Sequence, residues 1–267
     1  MALAIGSRPA VWRPRVGPDL QGFSVSSCWK GNSWMSRHLQ HDLDEAYHNL
    51  LFLSGMVEEM IDQAVVALCE RRRDLADEVI AKDAEIDRKE VRIEEECLKM
   101  LALHQPVAAD LRKVTTMMKV NNDLERMADL ACNIAERAHS LSPTPEFPIP
   151  QKINQMVQLT TGMVRQGLDA FVNLDLDLAY RVISQDDMVD NLNVQVIDEI
   201  TDLMSGRPDW VTPGLHCFSA ARHLERIADH ATNIAEDVVY MVNGVIVRHR
   251  RDWPRPTSKP AGNNEIA

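Results

Sequence analysis

Asp123-Leu-Glu-Arg-Met-Ala-Asp-Leu-Ala-Cys-Asn-Ile-Ala-Glu136 returns one hundred residues later as His223-Leu-Glu-Arg-Ile-Ala-Asp-His-Ala-Thr-Asn-Ile-Ala-Glu236. Ten of the fourteen positions are identical. An internal repeat fixes the architecture before any local reading does. Each copy carries two carboxylates four residues apart, Glu125 with Asp129 and Glu225 with Asp229. On a helix such side chains stand on one face, a turn apart. At 3.6 residues per turn, Asn122, Glu125, Asp129, Asn133 and Glu136 fall within roughly 80° of arc. Leu124, Ala128, Ala131 and Ala135 form a small apolar stripe beside them. Like charges at this spacing destabilise a helix by about 0.2–0.5 kcal/mol per pair. Something must offset that repulsion: either Arg126 and Arg226 with nearby lysines and water, or a metal ion.

Outward from the repeat, the chain keeps a helical period. Leu39, Leu43, Ala46, Leu50, Leu53, Val57, Met60, Ala64 and Leu68 recur by threes and fours and predict a long amphipathic helix. Arg71, Arg72 and Arg73 follow it, where the helix dipole favours positive charge. Asp74 is placed to cap a second helix over 75–103, which carries Asp83 and Asp87, again four apart. Pro106 is expected in the first turn of a third helix, which holds the quoted stretch. Residues 142–150, with four prolines, have the composition of a linker.

The second half repeats the plan. Ile153, Met156, Thr160, Met163 and Ala170 predict a fourth helix. The run starting at Asp177 matches the run starting at Asp74, which sets Asp186 on Asp83 and Asp190 on Asp87. A sixth helix opens near Pro208 and stops at Gly244. The expected fold is therefore all-α, two pseudo-symmetric three-helix bundles over residues 35–141 and 151–244. Residues 1–34 have no helical period and are expected to be a disordered extension, with Met35 a candidate start. Residues 245–267 are expected to be a disordered tail.

Composition narrows the function. Aromatic residues make up only 5% of the chain while Leu, Ala and Met abound, which suits helices better than strands. A net charge of −11 argues against broad binding of nucleic acid or anionic membrane. The cysteines at 28, 69, 97, 132 and 217 are odd in number and widely spaced, the pattern of a reducing compartment without a thiolate zinc site. The longest apolar stretch, 238–247, falls far short of the ~20 residues of a membrane span.

The acidic faces carry the chemistry. Short connections pack neighbouring helices antiparallel, so each half can bring four carboxylates together. These are Asp83, Asp87, Glu125 and Asp129, then Asp186, Asp190, Glu225 and Asp229. All-oxygen ligand sets suit Mg, Ca and Mn, and carboxylates also serve iron. A single acidic pair is ordinarily a solvated face, but four at matching places in two repeats favour function. His216, His223 and His230 lie on the opposite side of their helix and are read as packing or surface residues. That argues against a zinc hydrolase. Glu45 with His48 and Glu136 with His139 match the Glu-x-x-His element of di-iron bundles, but Glu236 is followed by Val239, and that element breaks.

On these residues the chain resembles the PhoU family of phosphate-signalling regulators. The resemblance spans residues 36–244 and rests on the doubled Leu-Glu-Arg stretch, the doubled Asp-x-x-(Ile/Val)-Asp element and residues 97–112. Ala128 and Ala228 stand where the family usually has glycine. The resemblance implies a cytoplasmic, commonly dimeric, non-enzymatic negative regulator of phosphate uptake and of the phosphate-starvation response. It implies an adaptor between the ATP-binding subunit of the phosphate ABC transporter and a sensor histidine kinase. It also implies a multinuclear metal cluster on the eight carboxylates, iron foremost, with Mn, Mg or Zn as alternatives. Neither nucleic acid nor membrane insertion is expected. The competing readings are a metal-binding scaffold and a carboxylate-bridged metalloenzyme.

Overall fold

Threes-and-fours spacing gives each segment one apolar face, and six long helices form around it. The computed structural model describes residues 37–247. It contains α1 (Arg37–Glu70), α2 (Arg73–His104), α3 (Ala108–Leu141), α4 (Gln151–Asn173), α5 (Leu176–Met204) and α6 (Val211–Asn243). A 3-10 turn at Pro208–Trp210 leads into α6. No strand occurs among the described residues. The readings made for residues 1–34 and for 248–267 lie outside the described residues.

The helix ends depart from the sequence expectations in two places. Asp74 does not cap α2. Arg72 grips its carboxylate at 2.5 Å and holds its pKa down to about 2, so Asp74 sits inside the first turn, against the positive end of the helix. The matching connection in the second half does have a cap: Asp175 accepts a hydrogen bond from the Leu178 N–H at 2.9 Å. Pro106 stands ahead of α3 rather than within it. Proline bars the preceding residue from right-handed helix, and Gln105 turns left-handed (φ 45°) to close α2. Gly244 (φ 70°) ends α6, its N–H reaching the Tyr240 carbonyl at 2.8 Å.

Helices α1, α2 and α3 pack on one another, and so do α4, α5 and α6. The units meet chiefly through α3 and α6, the most extensive helix contact in the molecule. The two run antiparallel: Arg112 reaches the Met241 carbonyl, Lys119 reaches Asp237, and Asp123 meets His230 and Asn233. Buried Ala128, Ala131 and Ala135 on α3, and Ala228, Ala231 and Ala235 on α6, keep these helices slim. A Cβ on Gly167 of α4 would stand 3.2 Å from the Ala231 carbonyl, so the bare glycine lets α4 approach α6 closely. A second contact joins α1 to α4. Arg165 bridges Glu58 and Asp62, and the Tyr47 hydroxyl donates to the Val172 carbonyl at 3.0 Å. Among the described residues no helix is long and apolar enough to cross a membrane.

Residues 142–150 connect the units but do not hang free of them. Phe147 is fully buried, edge-on to Trp210 with ring centroids 5.7 Å apart. Arg71, just past the end of α1, donates to the carbonyls of Leu141, Thr144 and Phe147. The positive charge expected to complement the α1 dipole thus serves as a clamp on the connection. Phe147→Ala should cost about 3–5 kcal/mol, as other buried aromatic truncations do. Chemical denaturation measures this. A loss below about 1 kcal/mol would mean that the connection contributes nothing to the fold.

Candidate metal centres on the paired acidic faces

The antiparallel arrangement sets the acidic stripe of α2 against that of α3, and that of α5 against that of α6. Desolvation first, then Asp83 and Asp87 across the groove, raises the pKa of Asp129 against the pull of Arg126. Glu125 is raised in the same way by desolvation, Asp129, Glu90 and Asp87. In the second half desolvation, Glu225, Asp186 and Asp190 push Asp229 up to about 6, with His230 opposing. Asp186 rises as well, from desolvation and the charges of Asp190 and Asp187. The carboxylates read from the sequence therefore act on one another electrostatically within each repeat.

Each group has partial compensation from arginine. Arg126 lies 3.4 Å from both Glu125 and Asp129. In the second half the partner of Glu225 is Arg222, one turn earlier, at 3.0 Å. The other oxygen of Glu225, Oε2, is buried with no hydrogen-bond partner.

The structure adds residues that the acidic spacing does not reveal. Cys132 Sγ lies 3.3 Å from Asp83 Oδ1, and Thr232 Oγ1 donates to Asp186 Oδ1 at 3.1 Å. Cys132 and Thr232 occupy the same place in the repeat, so one contact is built twice with different chemistry. Glu90 joins the first group, where its side chain accepts from Asn121 Nδ2 at 3.0 Å and its pKa is raised. The second repeat has Asn193 at that position. The sequence signal for all three was the aligned repeat read beyond its acidic pairs. The histidines take other work: His230 Nδ1 lies 2.8 Å from Asp123 in the α3–α6 interface, and His223 bonds Ser219.

Among the described residues no group of three or more His, Cys, Asp or Glu side chains is drawn together tightly enough to grip a metal ion. The donor chemistry nevertheless fits a cation. Desolvation and neighbouring carboxylates raise the pKa of Glu125 and Asp129 in one group and of Asp186 and Asp229 in the other, and Glu225 carries an unpartnered buried oxygen. A bound divalent cation would be held by Asp83, Asp87, Glu125 and Asp129, or by Asp186, Asp190, Glu225 and Asp229. It would supply positive charge where the protein supplies mainly negative.

The family model described as "PhoU domain" matches twice, at residues 50–138 and 153–238. A phosphate-specific transport system accessory protein PhoU homolog from Aquifex aeolicus is 41% identical over 209 residues, covering 78% of this chain and 95% of that protein. The homolog of the same name from Pseudomonas putida is 38% identical over 216 residues, covering 80% and 84%. The crystal structure of PhoU from Pseudomonas aeruginosa superposes with a TM-score of 0.74 at 36% identity, covering 77% of this chain and 99% of that one.

The raised pKa of Asp229 has a definite sign in stability. Its folded value lies above its unfolded one, so the native state holds the proton more tightly. The resulting stabilisation is present near pH 4 and is lost as pH rises to about 6. Asp229→Asn should therefore stabilise the metal-free protein at pH 7, by about 1 kcal/mol once solvent screening of this exposed residue is allowed for. The gain should vanish near pH 4. Thermal melts in chelator at the two pH values check it; a destabilised variant at pH 7 would show that the charge is needed even without a cation.

Proposed function

The chain belongs to the PhoU family, and on that premise we propose that it is an accessory regulator of phosphate transport. In this reading it acts in the cytoplasm as a homodimeric, non-enzymatic adaptor. It holds down phosphate uptake and the starvation response when phosphate is plentiful. Its partners are the ATP-binding subunit of the phosphate ABC transporter and a sensor histidine kinase.

The observation that carries this reading is the doubled signature together with the names of relatives that share it across most of the chain. The helical body supports it too, since long amphipathic faces such as that of α2 leave Val91, Leu98 and Leu103 exposed. Exposed apolar groups of this kind suit protein contacts.

Metal binding is a second part of the proposal, favoured by the raised pKa of Asp229 among its facing carboxylates and by the unpartnered Glu225 oxygen. A cation on either acidic face would tie α2 to α3, or α5 to α6, and stiffen the surface offered to partners. Iron is the first candidate, with manganese, magnesium and zinc behind it.

Deleting the gene in its host should raise alkaline phosphatase activity severalfold in phosphate-rich medium, and a plasmid copy should restore repression. Unchanged activity in the deletion strain would count against the regulatory role.

A further inference from the structure

The α3–α6 interface joins two copies of one repeat, running antiparallel. An exact duplicate would look the same from both ends. At one end Lys119 pairs with Asp237 at 3.0 Å, and Asp123 meets His230 at 2.8 Å and Asn233 at 3.4 Å. Two buried carboxylates there balance two basic groups.

Shifting those pairs by the repeat offset gives the other end. Asp237 maps onto Arg137, and Lys119 onto Ser219. Asp123 maps onto His223, which then stands opposite Leu130 and Asn133. Both carboxylates have been replaced by basic side chains, and none of the aligned positions 130, 133, 137, 219 and 223 is acidic. The neighbourhood follows the register: desolvation and then the Arg137 charge depress the pKa of His216. Glu136, on the exposed side of α3, pairs with Arg137 Nη2 at 2.9 Å.

Two buried nitrogens at this end have no hydrogen-bond partner, Arg137 Nε and His223 Nδ1. His223 uses its other nitrogen on the Ser219 hydroxyl at 3.2 Å. With Ser219 donating, Nδ1 carries the ring proton and is left as a donor. Buried donors without acceptors are costly, and groups of this type are rare in native proteins. The Arg137 side chain remains 30% exposed, so its guanidinium can be approached from solvent.

We propose that this end of the α3–α6 interface binds a small oxyanion through Arg137 and His223, in place of the carboxylates that the opposite end builds in. The oxygens of such an ion accept from guanidinium and imidazole together, the geometry for which arginine is suited. Such a site is independent of the regulatory role.

The test is thermal unfolding of the full chain in phosphate-free, chelator-containing buffer, with inorganic phosphate or sulfate exchanged for chloride at constant ionic strength. At about five times the dissociation constant the wild type should gain about 2–4 °C in Tm. Arg137→Gln should lose that gain. Ser219→Asp sets a carboxylate opposite Arg137, as Asp237 stands opposite Lys119. This variant should start from a higher Tm and respond no further. A gain with both anions, or with phosphate alone, supports the site, provided that the two variants lack it. General salting effects raise all three proteins alike. An equal gain in all three, or no gain in the wild type, overturns the proposal.

Discussion

Packing of α3 against α6 is the contact on which the rest of the molecule depends. Each is the signature helix of its repeat, and each lies against both other helices of its own unit. With those two side by side at the centre, α2 and α5 are left on the flanks. The acidic stripe of each signature helix then faces the acidic stripe of a flanking helix. Had the units joined through α1 and α4 alone, nothing would fix one signature helix against the other. The small side chains at 128, 131 and 135, and at 228, 231 and 235, leave room for this arrangement. The interface is also polar enough to have one register. A slide by one turn would strand buried Asp123 and Asp237 away from His230 and Lys119, and unpaired buried charge is strongly penalised.

The same arrangement explains why the acidic faces are under electrostatic stress. Carboxylates four apart on one helix repel weakly in water. Around the groove, desolvation and neighbouring charges together make Glu125, Asp129, Asp186 and Asp229 hold protons more tightly, most strongly Asp229. Arg126 and Arg222 relieve part of this from the edges of the two groups. The arginine compensation anticipated from sequence is thus present, but in the second repeat it comes from Arg222 on the preceding turn. The unrelieved remainder is what makes a cation a reasonable occupant.

Much of the architecture was legible because helical periodicity and repeat offset are properties of the chain itself. The six helices and the stop at Gly244 follow from spacing. What spacing omits is how helices register against one another. Cys132 and Thr232 differ in chemistry and share no acidic signature, yet both reach the equivalent aspartate across the groove. Glu90 has no acidic counterpart in the second half. His230, expected to be a packing or surface residue, meets a buried aspartate. Phe147 sits in a proline-rich stretch whose composition suggests only a linker, yet it is buried edge-on against Trp210, a residue distant in the chain. Asp74 shows local competition: a strong neighbouring guanidinium outbids the weaker attraction of a cap.

The central claim is that the paired acidic faces hold metal. Elemental analysis of untagged protein, gel-filtered without chelator, tests it most directly when the wild type is run beside an Asp129→Ala/Asp229→Ala double variant. The account predicts stoichiometric metal in the wild type and its loss in the variant. Equal metal in both, or none in either after incubation with each candidate ion, would contradict it and leave the acidic faces solvated or paired with arginine.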